Sequence, residues 1–183
     1  MMKDALFPSV ITHTYDPGSP FLSNICDLAP DEAEAVLDRI RQAGVRKIKP
    51  TYLARRCETE EWLIRERRRL LGNTRRERPV YCFLGNFDDG LDLTRPNALV
   101  MPLVAFPAEV LTFTYPDSMA SLPYAIREDL PADRRPCHGR VFTFEEIKTI
   151  VKEHGMPGPT ERFIEVQVWD ERPILEFRSS RVS

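Results

Sequence analysis

Phe163-Ile164-Glu165-Val166-Gln167-Val168-Trp169 alternates without a break. Successive side chains of an extended chain point to opposite faces, so Ile164, Val166 and Val168 share one face and Phe163, Glu165, Gln167 and Trp169 the other. The first face belongs in a core. The second sets a carboxylate and an amide between large aromatics, which suits either a sheet edge covered by aromatics or the wall of a pocket. This strand reads the chain as a sheet with helices packed on it.

Upstream, Thr143-Phe144-Glu145-Glu146 is a capping box, because Thr143 and Glu146 can satisfy each other's orphan amides. It opens a helix to about Glu153, with Ile147, Ile150 and Val151 inward. Downstream, Asp170 to Pro173 reads as a turn, and Ile174-Leu175-Glu176-Phe177 as a last strand folding back in a hairpin. Three further strands are expected at 8–15, at 79–84 and at 110–115, with a fourth at 98–106 whose Pro102 implies an edge or a bulge. Asp31 to Gln42 reads as a helix, with Pro30 at its first turn and Gly44 as its stop. A third helix is expected from Glu58 to Leu71, preceded by a short strand at Thr51-Tyr52-Leu53. Residues 119–139 carry Pro and Arg with little periodicity and read as a long binding or lid loop. A turn is expected at 85–90.

These elements define an α+β fold, a single domain over 1–183 with a mixed or mainly antiparallel sheet of about six or seven strands and three main helices. At 183 residues no disulfide or metal staple is required. A formal net charge of -2 excludes a globally basic nucleic-acid binder while allowing a local basic patch. The longest apolar run, 98–106, is too short to span a bilayer, and the N-terminus has no signal-peptide hydrophobic region. A cytoplasmic protein with no membrane partner is expected, and the scattered Cys26, Cys57, Cys82 and Cys137 read as reduced thiols.

Three constellations carry chemistry. The first joins His13, Tyr52 or Tyr81, and Glu165, all on expected strands. Ile11-Thr12-His13-Thr14, then 40–45 leading to Tyr52-Leu53, then Ile164-Glu165-Val166-Gln167-Val168 resemble the ADP-ribosyltransferase-like fold in its His-Tyr-Glu branch, which includes members acting on DNA or RNA. Phe163 stands where protein-modifying members carry a second Glu or Gln. The resemblance touches about a third of the chain. It implies NAD as cofactor, Glu165 as the catalytic carboxylate, His13 on the ribose or amide of NAD, and Tyr52 or Tyr81 stacked on the nicotinamide. The acceptor implied is a nucleic acid or a small molecule. The plainer alternative makes Glu165 an edge-strand charge and His13 a satisfied strand residue.

The second constellation is arginine-rich. From Arg55 to Arg78 stand nine arginines against five acids, in a chain with only five lysines among its 26 basic residues. Arg65 and Arg69 share a helical face at i, i+4, and with Arg55 and Arg56 they are candidate phosphate-binding residues, since the guanidinium fork matches two phosphate oxygens. This supports an alternative function, a non-enzymatic nucleic-acid or phosphate-binding module built on residues 55–78. Otherwise the run is a solvated helix face. The third is Cys137-His138 with Asp117-Ser118 and Asp88-Asp89, which lacks a second ligand pair for zinc and a nucleophile elbow for hydrolysis, so no metal is expected.

Overall fold

The computed structural model describes residues 7–86, 92–127, 129, 132 and 134–181. Most of the expected 85–90 turn, including Asp88 and Asp89, and parts of the expected 119–139 loop lie outside them. The strands are β1 (Val10–Tyr15), β2 (Val80–Leu84), β3 (Asn97–Pro102), β4 (Leu111–Thr114), β5 (Val141–Phe142) and β6 (Glu165–Val168). The helices are α1 (Pro30–Ala43), α2 (Tyr52–Leu71), α3 (Ser118–Ile126), α4 (Phe144–His154) and α5 (Arg172–Ser180). All six strands form one sheet, in the order β3-β1-β2-β6-β4-β5, and every pairing is antiparallel.

The alternating strand lies at the middle of this sheet. β6 runs between β2 and β4, with Glu165 opposite Phe83 on one side and Thr114 on the other. Such a strand has no solvated edge, so the edge-charge reading of Glu165 falls. Val166 and Val168 enter the main core with Ile11, Cys82, Phe113 and Phe142, closed by Ile147, Ile150 and Val151 of α4 and Ile174 of α5. The opposite face carries Tyr81 and Val141 with Trp169 beyond the strand end, covered by Trp62, Leu63 and Ile64 of α2 and Leu122 of α3. Helices thus pack on both faces.

Local chemistry sets the ends of the expected helices. α1 begins at Pro30 and stops at Gly44, whose φ of 69° is left-handed and cheap only for glycine. α4 has the capping box at Thr143 and Glu146. Pro102 is the last residue of edge strand β3, where its missing N–H costs no ladder bond.

Four expectations are corrected. Thr51-Tyr52-Leu53 is not a strand; α2 starts at Tyr52, and in its first turns Thr59 and Glu60 are buried while Arg55 and Glu58 are exposed. Residues 118–126 are helix α3, because Asp117 caps it by accepting from the Ala120 N–H at 3.0 Å, although Pro123 sits inside. The stretch 174–177 is helix α5: Pro173 fits a first turn, Asp170 accepts the Arg172 N–H at 3.0 Å, and Ile174 turns into the core. With α3 and α5 the described residues hold five α-helices rather than three, and the two-residue edge strand β5 is added to the sheet.

Candidate active site

Above the Glu165 face lies an open groove of about 1760 Å³. It exceeds the few hundred to a thousand Å³ typical of a drug-sized pocket. Its floor is the ends of β1, β2 and β6. Its walls are α1, the first turns of α2 and α3, and loop residues near 92–96, 135–138 and 158–163.

Glu165 is the ionisable group at the floor, 6% exposed. Burial pushes its carboxyl above the ordinary range and the nearby Asp117 adds to this, while the Arg56 charge, the Ser118 hydroxyl and the Gln167 amide work against it. A saturated chain of hydrogen bonds aims that amide. Trp169 Nε1 donates to Thr112 Oγ1 at 2.8 Å, and Thr112 donates to Gln167 Oε1 at 2.9 Å. Gln167 Nε2 donates to Thr114 Oγ1 at 3.1 Å and to Glu165 Oε1 at 3.0 Å. With its oxygen engaged by a hydroxyl, the amide can present only N–H to the carboxylate.

Beside Glu165 a second carboxylate is fully buried. Glu60 accepts from Asn24 Nδ2 at 2.7 Å, Tyr81 OH at 2.8 Å and Arg78 at 2.8 Å, and Arg56 Nε lies 3.7 Å away. The Arg56 guanidinium sits 3.7 Å from the centroid of the Tyr81 ring. Arg56 is thereby fixed between Glu60, Tyr81 and the field of Glu165. Burial of Tyr81 and the carboxylates on either side raise its phenol well above the ordinary range, although Arg56 opposes this, so Tyr81 acts as a donor.

Across the groove, Arg135 and His138 clasp Glu161. Arg135 pairs with one carboxylate oxygen, and His138 Nε2 lies 2.6 Å from the other. His138 Nδ1 accepts the Arg135 backbone N–H at 3.2 Å, and its ring packs on Tyr124 at 4.7 Å. Burial would raise the Glu161 carboxyl, but the bonds from Arg135 and His138 hold it below the ordinary range. Cys137 is buried and contributes to the main core. Among the described residues no group of three His, Cys, Asp or Glu side chains is placed to hold a metal.

The structure brings Glu165, Tyr81, Tyr52 and Arg56 to one groove. It does not bring His13 to them face to face. Thr12 pairs with Phe83 and Phe83 with Glu165, so these three share a face, and His13 alternates to the other with Ile11, Leu99 and Met101. His13 nonetheless lines the groove, just beyond the point where the β1–β2 pairing stops at Thr12 and Phe83. Its ring packs against Tyr15 and Phe21, and Nδ1 meets the Tyr81 carbonyl at 2.9 Å. His13 thus lines one groove with Glu165 and the two tyrosines, while strand parity turns its ring to the other face of β1. The arginines separate too. Arg56 and Arg67 lie on the buried stripe of α2, whereas Arg55, Arg65 and Arg69 are exposed and Arg69 is paired to Glu66 at 2.7 Å. Glu60 was missed, although Arg56, Glu60, Leu63 and Arg67 recur at i, i+4, i+7 and i+11, which sets three charges on an apolar stripe.

No protein-family model matches this chain, and neither the curated proteins nor the solved structures contain a match to it.

Proposed function

We propose that the groove is the active site of an ADP-ribosyltransferase-like enzyme, taking a nucleotide of the NAD class and transferring its sugar to a nucleic-acid or small-molecule acceptor. The observation that carries this reading is Glu165, a buried carboxylate at the groove floor with its amide partner locked and a cation nearby. When ionised, Glu165 accepts a hydrogen bond from a ribose hydroxyl and offsets the positive charge that develops on the sugar as the base departs. Arg56, held over Tyr81, supplies a cation for the pyrophosphate. Arg56 covers one face of Tyr81, so stacking on a nicotinamide ring falls to Tyr52, which also borders the groove.

His13 has no part in this reading. Thr14, one residue on, shares the Glu165 face by alternation, and its buried Oγ1 has no hydrogen-bond partner among the described residues. That hydroxyl fits the sugar contact that the resemblance assigned to His13.

Among the described residues no helix is long and apolar enough to cross a membrane. We infer a cytoplasmic setting, a reading supported by four free cysteines. A second reading, a phosphate-binding module, is favoured only by Arg55 and Arg65, which are exposed and make no ion pair among the described residues. Steeply salt-dependent gel shifts abolished by Arg55→Ala with Arg65→Ala would select it.

The deciding experiment is calorimetric titration with NAD alongside a nicotinamide-release assay. Wild type binds and releases. Glu165→Gln still binds but loses release by roughly 10²- to 10³-fold. Absence of both heat and release from wild type ends the proposal.

A further inference from the structure

Two of the four cysteines meet across the fold. The Cys57 thiol donates to Cys26 Sγ at 3.5 Å, although the residues are 31 apart in sequence. Cys26 lies in a 3-10 turn, Ile25–Asp27, that Asn24 caps by accepting the Cys26 N–H at 2.9 Å. The same Asn24 donates to Glu60 on α2, one turn beyond Cys57. One side chain thus registers the turn against the helix and sets the two sulfurs together. Both thiols are half-buried and open to small reagents, whereas Cys82 and Cys137 are fully buried. Apolar packing alone does not require two adjacent thiols in a partly solvated seam.

We propose that Cys26 and Cys57 form a reversible dithiol–disulfide site whose reaction partner is a low-molecular-weight disulfide. The Cys57 sulfur, as thiolate, attacks one sulfur of the partner. A Cys57–partner S–S bond forms, the partner's own S–S bond breaks, and the departing thiolate takes the proton that Cys57 lost. Cys26 then attacks Cys57 Sγ. The Cys26–Cys57 bond forms, the mixed disulfide breaks, and the second small thiolate leaves with the Cys26 proton. Two protein thiols lose two electrons and the small disulfide is reduced to two thiols. The order follows from Cys26, whose thiol is raised by burial and by the Glu60 charge and is the poorer first nucleophile. Closure pins the Ile25–Asp27 turn to α2 beside Arg56, and so ties down the wall of the groove that Ile25 and Leu28 form.

The test needs no knowledge of the groove's ligand. The full chain is incubated with oxidised glutathione, blocked with iodoacetamide after denaturation, and mapped without reduction. A peptide pair joined through Cys26 and Cys57 is expected, with Cys82 and Cys137 alkylated. The oxidised chain melts at a higher temperature, dithiothreitol reverses the shift, and the shift is absent from Cys26→Ser, which stops at a glutathione adduct on Cys57. If Cys26→Ser fails to fold, Cys57→Ala serves for the melting comparison. Glutathione adducts in wild type without the internal link, or two thiols that stay free, overturn the proposal.

Discussion

The Tyr81 hydroxyl donates to Glu60 Oε1 at 2.8 Å, which ties the central sheet to the helix that covers it. Glu60 is fully buried and has further donors in Asn24 and Arg78. Glu60→Ala leaves these donors and Arg56 without their anion and is expected to destabilise the protein by about 3–5 kcal/mol. Tyr81→Phe removes one bond to a charged acceptor and costs about 1.5–3 kcal/mol. Urea titration of both variants checks the order. Equal, small losses would mean that the cluster contributes no net stability.

Glu165 titrates above the ordinary carboxylate range because it is buried and close to Asp117, despite Arg56. A raised folded pKa gives stability that is present below the unfolded pKa and is lost as pH rises through the folded one. Glu165→Gln mimics the protonated form without titrating. The variant should therefore gain stability relative to wild type as pH increases, read from paired melts. In the proposed reaction the ionised form works, so nicotinamide release by wild type should rise with pH along a limb displaced above that of a free glutamate.

His13 shifts the other way. Burial lowers its pKa from 6.5 and Arg95 adds to this, while the bond to the Tyr81 carbonyl opposes it. A depressed folded pKa gives stability that is present above the unfolded value and is lost as pH falls through the folded one. His13→Asn keeps a donor for the Tyr81 carbonyl and should flatten the acid side of the stability profile without changing NAD binding. A large loss of NAD affinity in this variant would return His13 to the site.

Gly139 precedes β5 with φ 71°, and a Cβ there would stand 2.7 Å from the carbonyl carbon of Tyr124. The obstacle is backbone of α3, which cannot rotate away. Gly139→Ala should cost roughly 1–3 kcal/mol. It should also loosen the adjacent His138–Glu161 contact, seen as faster proteolysis near residues 134–140. A denaturation midpoint equal to wild type would contradict the packing described.

Much of the sheet was legible because its strands carry one-sided patterns. The run from Glu165 to Val168 and the stretch from Leu111 to Thr114 alternate cleanly, and alternation has one structural cause. Helices α3 and α5 were hidden for a different reason. Pro123 breaks the pattern of one, and the second is too short for a 3.6 period to outvote a 2.0 period at Ile174-Leu175-Glu176-Phe177. Of the site, Glu165 was readable as a carboxylate between aromatics on an alternating strand, and Tyr81 was named as one of two candidates to stack on the nicotinamide. Arg56 was named for phosphate, but its burial over Tyr81 was not visible, and Glu60 looked like one of several surface acids.

The sequence by itself determined that Glu165 and Gln167 share one face of a strand and Val166 and Val168 the other, because side-chain direction along an extended chain follows from covalent geometry. Which strands flank it, and in what register, was settled only in three dimensions. Register placed Phe83 and Thr12 on the Glu165 face and, by a single residue's parity, sent His13 to the other. Long-range packing likewise set Glu60, Asn24 and Arg78 together from segments far apart in the chain, since a buried charge is stable only where its partners converge.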